Sequence, residues 1–207
     1  MLPKPTSRLQ QKETTRQQIF DAAKSLFEER GFEKTTLREI ARVAGVAPGT
    51  IFTHFSDKIA LLVSVLKEEV DILVESHCKT LPYEADLHTQ LMHIPRALFP
   101  HYAEHRALFQ PLLKEAFFLD PERGESLRQQ FDIHRQATEQ LFEAAKTRGE
   151  IDADADVCTA SYCFFSHYIF QLIGLMSNPN QSAEEALTLL SQMVHAMLEG
   201  FRPKGVK

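Results

Sequence analysis

Thr36, Arg38, Thr50, Thr53, His54 and Lys58 gather hydroxyl, imidazole and cationic groups into one short stretch, with Pro48, Gly49 and Phe52 among them. Groups of this kind hydrogen-bond to base edges and phosphate oxygens, so the chemistry on offer is recognition of a nucleic acid. Ile51 and Phe55 lie four apart and form the inward side of a short helix, which leaves Thr50, Thr53 and His54 between them as polar positions. Gly49 has no Cβ and leaves room for a close backbone approach. Lys58 stands at the start of the next helix, where a cation beside free backbone N–H groups can take a phosphate.

Such groups need a rigid mount, and the surrounding residues provide one. Thr36-Leu37-Arg38-Glu39 reads as a capping box, with Leu37, Ile40, Ala41 and Ala44 as the buried edge of a short helix stopped by Gly45. Pro48 fits the first position of the following helix. Helices over 36–43 and 48–55, joined by a tight Ala44-Gly45-Val46 turn, make a helix-turn-helix. Its second helix can enter a major groove about 12 Å wide. An ordinary helical hairpin in a bundle has the same spacing. Upstream, Ile19, Ala22, Ala23, Leu26 and Phe27 form one stripe of a first helix over 13–30, closed by Gly31. Downstream, Asp57 caps a longer helix through Leu61, Leu62, Val65, Leu66 and Leu73, closed by Pro82.

The chain has 207 residues, 43% hydrophobic and 25% charged, with 8 Gly and 10 Pro, which excludes collagenous and low-complexity classes. Cys78, Cys158 and Cys163 form an odd, scattered set without a CxxC pair, against a disulfide framework or zinc site and for a reducing cytoplasm. The N-terminal MLPKPTSRLQQKETTRQ has no apolar run, so no signal peptide is expected. The net charge of −5 is asymmetric: ten Lys/Arg stand against seven Asp/Glu up to Lys58, and thirteen against twenty-one beyond it. A mildly basic head on an acidic body points to the head as the part that meets a polyanion.

Helical patterning continues past Pro82, with helices expected near 84–103, 105–118, 121–148, 153–176 and 182–201 and Pro95, Pro100, Pro111, Pro121 and Gly149 as punctuation. Strand alternation and hairpin turns are absent, so the class is all-α with about nine helices. From Val157 to Ala183 there is no charged residue, but Thr159, Ser161, Ser166, His167 and Gln171 interrupt the run and Asp152, Asp154 and Asp156 precede it. A helix buried on two faces, one of them against a second subunit, explains this better than a membrane span. Phe165, Ile169, Leu172, Leu190, Val194 and Met197 are the expected dimer contacts. Phe99, Tyr102, Phe117, Phe131, His134, Phe164, His167, Tyr168 and Gln171 are the expected walls of a pocket for a partly apolar effector.

His101 and His105 have metal-ligand spacing but no identifiable third ligand, so no metal or cofactor is expected. There is no HExxH, GxGxxG, P-loop or GxSxG, and no His follows a Glu by three residues, so an enzyme is not expected.

The run from Thr35 to Lys58 resembles the DNA-binding signature of the TetR family of transcriptional repressors, and Ile19 to Phe32 resembles the family's first helix. The resemblance covers roughly residues 14–66. It departs at Ala47, where the family often has a Ser or Thr cap, and at Phe52, where a Tyr is usual. Thr53 is also smaller, and Ile59 replaces a common Glu. The resemblance implies three parts: a basic arm over 1–12, a three-helix DNA-binding domain over 13–72, and a ligand-binding and dimerisation domain over 73–207. It further implies a cytoplasmic homodimer that represses by holding a near-palindromic double-stranded operator, with half-sites about 10 bp or a multiple apart. The resemblance also implies that the last two helices pack against their mates and that a small molecule releases the DNA. A DNA-bound structural or protein-recruiting factor on the same fold, without a small-molecule ligand, is the alternative.

Overall fold

The computed structural model describes residues 8–118 and 121–203, and within them the side chains of all but 114–118, 121–128 and 130. Among these residues the chain is helical without strands, in nine helices. They are α1 (Arg8–Arg30), α2 (Leu37–Ala44), α3 (Pro48–Ile51), α4 (Lys58–Cys78) and α5 (Leu87–Glu104), then α6 (Arg106–Phe118), α7 (Pro121–Arg148), α8 (Val157–Ser177) and α9 (Ala183–Glu199). The helix α1 starts five residues before the Glu13 expected, because nothing between Arg8 and Glu13 breaks a helix. Pro95 and Pro100 lie inside α5 and Pro111 inside α6 instead of punctuating them. Pro95 is buried, so tertiary packing outweighs the lost backbone donor.

Two compact units emerge: Met1–Glu69 with Ala107–Leu112, and Val70–Arg106 with Leu113–Lys207. In the first, Ile19, Ala23 and Phe27 of α1, Ile40 and Ala41 of α2, Ile51 of α3 and Leu61 and Leu62 of α4 are almost wholly buried. Thr35 is buried as well, its Oγ1 donating to Leu26 O at 3.2 Å and Gly31 O at 2.8 Å. That closes the α1–α2 turn on itself.

In the second unit, α5, α7, α8 and α9 pack around Leu87, Met92, Phe99, Phe142, Leu175, Leu190 and Val194. Polar clasps fix their register. Glu150 Oε2 accepts from Leu87 N at 2.7 Å, capping α5, and the His88 imidazole lies 3.1 Å from Ser191 O on α9. Arg106 donates to the carbonyls of Asn178 and Gln181 in the α8–α9 turn. Asp156 caps α8 through Cys158 N, and Ser182 with Glu185 forms a capping box for α9. No helix of the described residues is long and apolar enough to cross a membrane.

Candidate nucleic-acid interface and ligand cavity

The capping box read from sequence is present. Thr36 Oγ1 accepts from Glu39 N at 3.3 Å, and Glu39 Oε2 accepts from Thr36 N at 2.9 Å. The Thr36 hydroxyl, which donates to Glu39 Oε2 at 2.8 Å, and then Thr36 N hold the Glu39 carboxyl below its usual range. At the other end of α2, Gly45 takes φ +70°, a left-handed conformation that a Cβ disfavours, while Val46 N donates to Ala41 O at 3.0 Å. This turns the chain sharply into α3.

The expected helix over 48–55 is shorter: α3 spans Pro48–Ile51 and the chain goes on as tight turns. Ala47 offers no side-chain cap, and Thr53 N and His54 N bond three residues back, to Thr50 O at 3.1 Å and Ile51 O at 2.9 Å. Such i→i+3 bonds tighten a helix end. Thr53 Oγ1 also donates to Thr50 O, at 2.7 Å. Beneath this segment Ile51 is fully buried and Phe55 nearly so, with the Arg16 guanidinium 5.3 Å from the Phe55 ring centre.

Of the residues expected to face DNA, Thr36, Arg38, Pro48, Gly49, Phe52 and Thr53 are exposed, Phe52 by 61%. Thr50 and His54 are half-buried. His54 Nδ1 is shielded and has no partner; burial, then the charges of Lys12 and Arg16, depress its pKa. Arg42 and Val43 are exposed on α2, and Val43 breaks the polar pattern that would have drawn attention to that turn.

Lys58 departs from expectation. Its ammonium donates to Phe32 O at 2.8 Å and Thr35 O at 3.0 Å, and lies 4.1 Å from the Phe32 ring centre. It therefore satisfies carbonyls of the α1–α2 turn instead of waiting for a phosphate. Its helix-start position is the sequence signal; what a four-carbon stem can reach behind it is not legible there. Lys4 of the expected arm lies outside the described residues, while Arg8 and Lys12 are part of α1.

The second unit holds a cavity of about 360 Å³ walled by the end of α4 with parts of α5, α7 and α8. Three of the expected residues line it, His134, Phe164 and Tyr168. Phe99 and Tyr102 are one layer behind: Phe99 meets the Tyr168 ring edge-on at 5.4 Å, and the Tyr168 hydroxyl donates to the Tyr102 hydroxyl at 3.2 Å. Burial pushes the Tyr102 phenol up to about 12. Phe131 packs on Phe165 at 5.5 Å. The imidazole of His167 meets the Ser166 hydroxyl at 3.3 Å, and the amide of the buried Gln171 reaches Met193 Sδ at 3.1 Å. Neither is on the wall. The Phe117 side chain lies outside the described residues.

Gln90 was not foreseen: it is 1% exposed, lines the cavity, and donates from Nε2 to Tyr83 O and Ala85 O, both at 2.8 Å. A glutamine inside an amphipathic helix carries no signal of this. The His101 and His105 rings approach to 4.7 Å, but no group of three metal-binding side chains occurs among the described residues.

Residues 19–65 match the model of the bacterial regulatory proteins of the tetR family. Residues 19–65 are a TetR-family domain. Relatives of this TetR-family domain include an HTH-type transcriptional regulator of Staphylococcus aureus, 31% identical over 96 residues, which are 46% of this chain and 51% of that protein. TtgR, an HTH-type transcriptional regulator of Pseudomonas putida, is 44% identical over 63 residues, 30% of this chain and 28% of that one. The chain thus spans about half or less of the length of these curated relatives. The likeness of fold extends further. FadR of Thermus thermophilus, a TetR-family repressor solved with lauroyl-CoA, superposes with a TM-score of 0.73 at 24% identity, covering 93% of this chain and 96% of that one.

Among the expected dimer contacts, Leu172, Leu190 and Val194 are buried within the protomer, and Phe165 lines the cavity. Ile169 and Met197 are half-buried. The exposed stripe of α8 runs instead through Thr159, Tyr162, Ser166, Phe170, Ile173 and Ser177, with Leu189 exposed on α9. Helical periodicity marks both faces of α8 as apolar and cannot say which is outermost.

Proposed function

We propose that this chain is a transcriptional repressor that binds a near-palindromic operator as a homodimer in the cytoplasm and leaves it when a small molecule enters the C-terminal unit. The observation that carries the reading is the exposure of Pro48, Gly49, Phe52 and Thr53, mounted on buried Ile51 and Phe55 inside the stretch that matches the TetR family. Thr53 and Phe52 meet the base edges and sugars there, with Thr36 and Arg38 on the flanking backbone. A cavity of about 360 Å³ supports a small-molecule effector over a purely structural or protein-recruiting role, which needs no such space. An effector that prefers the non-binding conformation by ~2.7 kcal/mol lowers operator affinity about a hundredfold.

The homodimer uses the exposed stripe of α8 and α9. Glutamates at Phe170 and Ile173 together should turn a dimer into a monomer in sedimentation; an unaltered dimer moves the interface elsewhere. The function itself is tested by selecting bound sequences from a random DNA pool at ~150 mM salt, where nonspecific phosphate binding is weak. A palindrome with half-sites about one helical turn apart is the expected result. Failure to enrich any sequence, with and without cell extract as a source of co-ligand, overturns the reading.

A further inference from the structure

Three polar groups of the cavity wall have no hydrogen left to donate, and this bears on the class of its ligand. Gln90 spends both amide hydrogens on Tyr83 O and Ala85 O, which also fixes which end of the amide is oxygen. Its Oε1 is left buried and without a partner. Thr138 spends its hydroxyl hydrogen on His134 O at 2.9 Å. Tyr168 spends its own on Tyr102. All three groups line the cavity, and each keeps only acceptor lone pairs for a guest. The cation of the wall among the described residues, Arg148, is paired with Glu150, whose second oxygen caps α5. A carboxylate placed against Gln90, Thr138 and Tyr168 would set lone pairs against lone pairs. The remaining wall is largely aliphatic and aromatic, Leu91, Leu98 and Phe164 among it.

Resting on the reading of this cavity as the effector site, we propose that the effector is an uncharged, mainly apolar molecule that donates a hydrogen bond, through a hydroxyl or an N–H, to Gln90 Oε1. A buried amide oxygen without a partner is costly, so a guest that completes it gains affinity that an ether of the same shape does not. Size and charge together set this effector apart from long acyl thioesters of nucleotide cofactors.

The test is calorimetric titration of the full chain with 4-pentylphenol, 4-pentylaniline, 4-pentylanisole, 4-pentylbenzoate and lauroyl-CoA. The phenol or the aniline should bind at least about tenfold tighter than the anisole, and the benzoate weakest of the four, as one hydrogen bond to a buried acceptor implies. Whichever of the two binds tighter distinguishes a hydroxyl from an N–H effector. Gln90→Met should shrink the preference over the anisole to below about threefold. Because that variant also uncaps two carbonyls, Ala144→Phe serves as a second one: it fills the cavity and should abolish binding while thermal melting stays cooperative. Equal binding of phenol, aniline and anisole, tightest binding of the benzoate, or binding that survives Ala144→Phe overturns the proposal. Binding of lauroyl-CoA alone, lost in Ala144→Phe, overturns it while leaving the effector site standing. If none of the five binds, the effector-site reading falls, and this proposal with it.

Discussion

The two units hold their chemistry in different ways. In the N-terminal unit the parts that matter are contiguous: a capping box, a left-handed glycine and a short exposed segment follow one another between Thr36 and Thr53. In the C-terminal unit the cavity is assembled from residues between Val74 and Tyr168 that meet only after four helices have packed. The first kind of site is local and is written in sequence spacing. The second is a property of packing, and a polar residue such as Gln90 acquires its role only from what surrounds it.

This contrast can be broken by substitution. The largest effect is expected from Ile51→Ala, which empties a fully buried position under the recognition segment and should cost ~2–5 kcal/mol. Specific DNA binding should disappear while ligand binding by the C-terminal unit persists; loss of both would mean that the units do not act separately. Lys58→Ala should come next, at ~1.5–3 kcal/mol for hydrogen bonds donated by a charged group. The melting temperature should fall, yet the slope of DNA affinity against salt should stay as it is. A slope reduced by about one would return Lys58 to the phosphate backbone.

Tyr168→Phe probes the other unit. It removes a buried but long hydroxyl contact of 3.2 Å, so the loss should be only ~0.5–1 kcal/mol, with operator binding unchanged when no effector is present. Smallest is the effect of pH through His54. Its folded pKa is depressed, so its contribution is fully present above the ordinary histidine value near 6.5 and is lost as pH falls through the folded value. The unit should therefore melt lower at pH 5.5 than at pH 7.5, and His54→Gln should flatten that difference. A pH dependence unchanged in the variant assigns it to another group.

Much of the fold is legible in the sequence, because caps and breakers are local. Thr36, Gly45, Asp57, Gly149 and Ser182 mark helix ends by their own chemistry. Prolines mislead where packing prevails, as at Pro95. The capping box and turn that mount the candidate DNA segment are legible, but the course of the Lys58 side chain is not, since it finds partners more than twenty residues away. The cavity is legible only as an aromatic excess. Periodicity gives Phe99, Tyr102 and Tyr168 the same inward sign, and only packing separates the one on the wall from the two behind it.

Gly49 carries one more consequence. A Cβ built there meets no atom of the protein within 4 Å, and its backbone needs no conformation reserved for glycine. Ala at that position should even favour the helix slightly, by up to ~1 kcal/mol. The chain thus has no internal reason to keep a glycine there. A saturation scan at position 49 is in effect a footprint taken from inside: whatever intolerance it records measures the shape of the partner's surface and not the demands of folding.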